Sequence, residues 1–85
     1  MKELSVKNIF EVLNNVIENL NISEGEENED LSKRGMDSLA FVEAVVTLEE
    51  EFGIEIPDSK LILSEMNTVN KIYAILNAIP REHIL

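Results

Sequence analysis

The chain has 85 residues, enough for one domain with a modest core. It holds no cysteine, which removes a disulfide framework, a thiolate metal site and a cysteine nucleophile. Seventeen acidic residues against seven basic ones give a formal charge of −10, a balance that disfavours nucleic acid and anionic lipid and would steer basic protein surfaces toward the chain.

No long apolar stretch follows Met1-Lys2-Glu3-Leu4-Ser5, so neither a signal peptide nor a membrane span is expected, and the expected location is the cytoplasm. Val6, Ile9, Phe10, Leu13, Val16, Ile17 and Leu20 recur at spacings of three and four, which predicts an amphipathic helix over about 5–19 with Ser5 as its N-cap. Asn14, Asn15 and Asn19 are poor helix formers, so packing rather than propensity must hold its second half. An acidic loop is expected over about 21–37. Glu24, Glu26, Glu27, Glu29 and Asp30 crowd five acids into seven residues there, but Ser23-Glu24-Gly25-Glu26 does not fit the ligand spacing of a calcium-binding loop. A solvated, mobile loop is the expectation, with Ile22 and Leu31 tucked under the bundle.

A second helix is predicted over about 39–52. Phe41, Val45, Leu48 and Phe52 form its core stripe. Leu39, Val42 and Val46 form another apolar stripe, rotated from the first, and Glu43, Thr47 and Glu50 lie on the remaining face. Such a helix is either buried on two sides or built to dock a partner. Asp37 and Ser38 both qualify as its N-cap, where backbone N–H groups also attract anions. Gly53 suits the left-handed position that ends it. Ile54-Glu55-Ile56 alternates like a strand but has no partner strand, so an extended loop is expected. A short helix then follows, capped by Asp58 or Ser59 and ending near Met66. Asn67-Thr68 supplies the N-cap of the last long helix, carried by Val69, Ile72, Tyr73, Ile75, Leu76 and Ile79 and stopped by Pro80, with a tail over 81–85. The fold class is all-α: a small bundle of three longer helices and one short helix, filling a single domain over 1–85.

Catalytic chemistry is missing from this pattern. The single histidine, His83, lies in the tail, and no His pair or Gly-rich phosphate loop is present. The many carboxylates are expected on polar faces with ordinary pKa values. An enzyme is not expected.

The motif Gly35-Met36-Asp37-Ser38-Leu39 resembles that of the acyl carrier protein family and its peptidyl and aminoacyl relatives. Val42-Glu43, Leu48-Glu49-Glu50-Glu51-Phe52, Ile54-Glu55-Ile56-Pro57-Asp58 and Thr68-Val69 follow in the same order as in carriers, so the resemblance spans nearly the whole chain. It implies that Ser38, flanked by Asp37 and Leu39, is esterified by 4′-phosphopantetheine from coenzyme A, through a separate phosphopantetheinyl transferase. The arm's thiol would carry acyl groups between loading, elongating or transferring enzymes. It also implies docking on the second helix, with Leu39, Val42 and Val46 as apolar contacts and Glu43, Glu49 and Glu50 meeting basic patches. Residues 35–59 hold seven acids and no base. Three departures point from fatty-acid synthesis toward a specialised lipid or polyketide-type pathway. Arg34, preceded by Lys33, stands where carriers commonly have Leu; Ala40 stands where fatty-acid carriers often have Asp; and the segment between Pro57 and Thr68 is about two residues longer. The basic pair would narrow partner choice or touch the phosphate. An aminoacyl or peptidyl carrier, or an unmodified acidic interaction module, is the alternative. A monomer that binds neither nucleic acid nor membrane is expected.

Overall fold

Cap chemistry sets the three α-helices, and the computed structural model describes them within residues 2–79. They are α1 (Val6–Val16), α2 (Ser38–Phe52) and α3 (Val69–Ala78). Ser5 Oγ accepts from Asn8 N, Asp37 Oδ1 from Ala40 N, and Thr68 Oγ1 from Lys71 N, so each helix opens on an oxygen that satisfies an orphan backbone donor. Gly53 closes α2 at φ 64°, ψ 42°, the left-handed conformation in which a side chain is strained. The expected end of α3 at Pro80, the tail over 81–85 and His83 lie outside the described residues.

The core is one cluster to which every helix contributes, and α1 packs on both α2 and α3. Ile9, Phe10, Val12 and Leu13 enter it from α1; Phe41, Ala44, Val45, Leu48 and Phe52 from α2; and Val69, Ile72 and Leu76 from α3. Ile54 and Ile56 are buried on either side of exposed Glu55 without forming a strand, as expected of an extended loop.

α1 is shorter than its periodicity predicts, stopping at Val16 rather than near residue 19. A clasp from the Asn14 side chain to the backbone of Ile22, eight residues on, holds the chain that turns away. Asn14 Nδ2 donates to Ile22 O at 2.7 Å, while its Oδ1 accepts from Ile22 N at 3.1 Å. Ile17 turns extended and Asn19 adopts φ 67°, which folds the chain back and buries Ile17, Leu20 and Ile22.

The acidic loop is not the free, solvated segment expected from its composition. It is stapled to the start of α3: Leu31 N donates to Asn67 O at 2.7 Å and Asn70 N to Glu27 O at 3.0 Å. The side chains of Asn67 and Asn70 add bonds to Asp30 Oδ1 and Asn28 Oδ1. Ile22 and Leu31 are buried beneath it, and Leu31 opens a 3-10 turn, Leu31–Lys33.

The short fourth helix is divided into two 3-10 turns, Asp58–Lys60 and Leu63–Glu65. Leu61, Ile62 and Leu63 are consecutive apolar residues without helical spacing, so one helix could not bury them together. The chain instead half-buries Leu61 and Leu63, exposes Ile62 and inserts Met66 fully into the core.

Two substitutions test which surfaces hold the bundle. Leu13 has 0% exposure, so Leu13→Ala is expected to destabilise by about 2–5 kcal/mol. Leu39 is 70% exposed, so Leu39→Ala should stay within about 0.5 kcal/mol of the parent. Urea unfolding followed by circular dichroism compares them; equal losses would mean that the helix faces are misassigned.

Candidate functional site

Before α2 the chain makes a tight reversal. Gly35 sits at φ 110°, and a Cβ there would meet only Glu18 O at 4.0 Å, so conformation rather than crowding requires glycine. Met36 N donates to Leu31 O at 3.0 Å, and its side chain is wholly buried. With Met36 driven inward, Asp37 and Ser38 emerge on the exposed side. Asp37 caps the helix at 2.8 Å through Ala40 N, leaving Ser38 as the first helical residue. The sequence signal for Met36 was thin: one apolar side chain inside a polar motif, without a periodic neighbour.

Among the described residues, no hydrogen bond engages Ser38 Oγ, and none satisfies the backbone N–H groups of Ser38 and Leu39. The hydroxyl therefore stands in solvent beside two open donors at the positive end of a 15-residue helix. A phosphodiester on Ser38 would find both hydrogen bonds and a favourable dipole there. The donor set fits that group.

The outer stripe of α2 is exposed. Among the described residues, Leu39 at 70%, Val42 at 57% and Val46 at 49% are three of the four large hydrophobics left in solvent, the fourth being Ile62. Ile62 had no signal in the periodicity, because it lies between turns. Glu43 and Glu50 are exposed beside the stripe. Glu49, expected with them, is half-buried, and its Oε2 accepts from Ile56 N at 2.7 Å. Its carboxylate helps to hold the chain after α2.

Arg34 turns to the acidic loop rather than to Ser38. Nη1 lies 3.1 Å from Glu29 Oε1 and 3.3 Å from Glu26 Oε2, and Nη2 donates to Asn21 O at 2.9 Å. The guanidinium closes the acidic loop on itself. Nor are all the carboxylates ordinary. The Ser23 backbone N–H, followed by the Arg34 side chain, holds the Glu26 carboxyl below its usual value. Asp30 is lowered chiefly by the Ser32 hydroxyl, and Glu11 by Lys2.

A family model described as the phosphopantetheine attachment site matches residues 11–76. The chain belongs to that family of carriers. Members hold 4′-phosphopantetheine covalently and act as carriers rather than catalysts. The chain is also 50% identical over 48 residues to an acyl carrier protein of Sulfurovum sp. (strain NBC37-1). That match covers 53% of this chain and 64% of the relative, so it spans less than two thirds of the relative's length. No solved structure matches the chain. Among the described residues, no helix is long and apolar enough to cross a membrane.

The loop closure makes a pH prediction. A carboxyl held below its ordinary value of 4.5 stabilises the folded loop above that pH and loses this contribution as pH falls through the lower folded value. The Ser23 amide, which donates to Glu26, should therefore titrate by NMR with a midpoint below 4.5. Arg34→Ala should raise that midpoint only in part, because the Ser23 N–H is the larger cause. A parent midpoint at or above 4.5 would contradict the geometry.

Proposed function

We propose that Ser38 is the attachment residue and that the protein shuttles acyl groups, as thioesters, between enzymes that dock on α2. The observation that carries this reading is an unengaged hydroxyl beside two open backbone donors, within the family match and next to an exposed apolar stripe. Bound there, 4′-phosphopantetheine supplies the thiol that this cysteine-free chain lacks. The chain's own residues do three things. Asp37 caps α2 and so aims its first N–H groups at the phosphate. Leu39, Val42 and Val46 offer nonpolar contact to a partner. Glu43 and Glu50 attract Lys or Arg around that contact, speeding encounter and setting orientation.

The partners in this reading are a phosphopantetheinyl transferase and acyl-loading, elongating or transferring enzymes with basic patches. A dedicated lipid or polyketide-type pathway in the cytoplasm is its setting. Arg34 no longer argues for a special partner, because the loop accounts for it. Ala40, half-buried in the first turn of α2, and the longer segment carrying exposed Ile62 remain as the supporting departures.

Incubation with coenzyme A and a broad-specificity transferase, followed by intact mass, tests the attachment. A phosphopantetheinyl gain in the parent and none in Ser38→Ala is expected; no gain in the parent, or a gain that persists in the variant, rejects it. The cargo is read by loading: transfer by acyl-ligating enzymes supports this reading, and loading only by an amino-acid-adenylating enzyme replaces it with an aminoacyl carrier.

Docking is tested by reversing charge at the two exposed acids. Glu43→Lys with Glu50→Lys should weaken transferase binding by about 1–2 kcal/mol, roughly five- to thirtyfold, and flatten its salt dependence. Helical content should be unchanged. Glu49→Lys is the wrong probe, since it also breaks the bond to Ile56 N. Parent-like affinity in the double variant would remove α2 from the docking surface.

A further inference from the structure

We propose that the groove between the outer side of α1 and the acidic loop docks a short amphipathic helix of a partner protein. That helix would present two apolar side chains a turn apart, with Lys or Arg beside them. The surface is separate from α2 and goes beyond the carrier reading. The groove has a volume of about 640 Å³, against about 400 Å³ for the one along α2 between Val42 and Leu61. Val6, Phe10 and Asn14, spaced four residues apart on α1, form one wall, and Ile22 and Ser23 begin the other. From Val6 to Asn14 it runs about 12 Å, just over two helical turns.

The walls are set before any partner arrives. Asn14 clasps Ile22 through both backbone groups, Glu26 Oε1 accepts from Ser23 N at 2.9 Å, and Asn70 N donates to Glu27 O at 3.0 Å. These bonds hold an acidic loop against α1 and keep the groove open, which lowers the ordering cost of binding. They also decide the shape of the occupant. The N–H groups of Ser23, Gly25 and Glu26 are bonded inside the loop, and those of Phe10 and Glu11 inside α1. An extended peptide would find these pairing donors taken, whereas a helix satisfies its own backbone and needs only side-chain contact.

Charge selects the residues that flank the contact. Around the apolar floor of Val6, Phe10 and Ile22 stand the carboxylates of Glu11, Glu24 and Glu27 and the ammonium of Lys7. Glu11 is paired with Lys2 at 2.9 Å, so the negative field comes from the loop wall, where Glu24 is exposed. A helix that brings Lys or Arg to that wall and apolar residues to the floor is complementary to the groove, and an acidic one is repelled. The groove takes none of its lining from α2 or from residues 35–39. It therefore stays open while an enzyme covers α2, and two proteins can hold the chain at once.

Two designed helical peptides, titrated into the isotope-labelled full chain and followed by NMR, test this. Both carry Leu at i and i+4, flanked by Lys in one and by Glu in the other. The Lys peptide is expected to shift the amides of Lys7, Phe10, Ser23 and Glu24 and to bind at least about tenfold more tightly than the Glu peptide. Glu24→Lys, at an exposed position, should weaken it by about three- to tenfold with helical content unchanged. With α2 saturated by the transferase, the affinity read at Ser23 and Glu24 should stay within about twofold of its value on the chain alone. No shift in the groove, shifts confined to 39–50, parent-like binding by Glu24→Lys, or displacement of the peptide by the transferase each overturn the proposal. Groove shifts that grow with the concentration of the chain alone put a second copy there and overturn it too.

Discussion

Met36, with no exposed surface, ties the turn before α2 into the core, and the position of Ser38 follows from it. Its backbone N–H is held by Leu31 O, and Leu31 N is in turn held by Asn67 O at the entrance to α3. The reversal at Gly35 lets the chain enter the core at residue 36 and leave it by residue 37, within the reach of one extended step. Asp37 then spends its side chain on the helix end rather than on Ser38. A hydroxyl two residues from a fully buried side chain is held by a rigid frame while remaining open to a modifying enzyme. That combination is what the proposed attachment at Ser38 requires.

Charge is divided between two regions with different duties. In the loop, Arg34 draws in Glu26 and Glu29, and the Asn67 and Asn70 side chains draw in Asp30 and Asn28, so the acids there are partly satisfied within the chain. On α2, no acid forms an ion pair among the described residues. The field over the exposed stripe is therefore left for an external cation. Without Arg34, the loop acids would leave a second unpaired negative surface a few residues before Ser38. Arg34 is explained by this division, although it interrupts the apolar pattern usual in carriers.

Much of this was legible in the sequence, for identifiable reasons. The three cap positions are legible to within one residue, Ser5, then Asp37 or Ser38, then Asn67 or Thr68, because capping depends on a few adjacent residues; the structure selects Asp37 and Thr68. The two stripes of α2 separated cleanly because helical periodicity fixes which residues share a face. What was not legible depended on contacts distant in sequence. The early end of α1 follows from Asn14 reaching Ile22, and the stapled loop from Asn67 and Asn70 reaching back some 40 residues. Met36 and Met66 enter the core as single residues without a period to announce them. The orientation of Arg34 has no signal in the sequence, since the acids it closes upon are brought together only by the folded loop.

An exposed apolar stripe carries a hazard as well as a use. Leu39, Val42 and Val46 add nothing to the core, and a bare stripe of this kind invites pairing with another copy. On α2 the stripe is bordered by Glu43 and Glu50, so two copies meeting face to face would also bring unpaired carboxylates together. The cost of that approach falls on self-association alone, because a partner bearing Lys or Arg turns the same charges into attraction. In the proposed docking, the acids would thus discriminate between partners and copies without touching the reacting group. In the proposed reading, specificity comes from what borders the contact, and the cargo from the arm on Ser38 at its end.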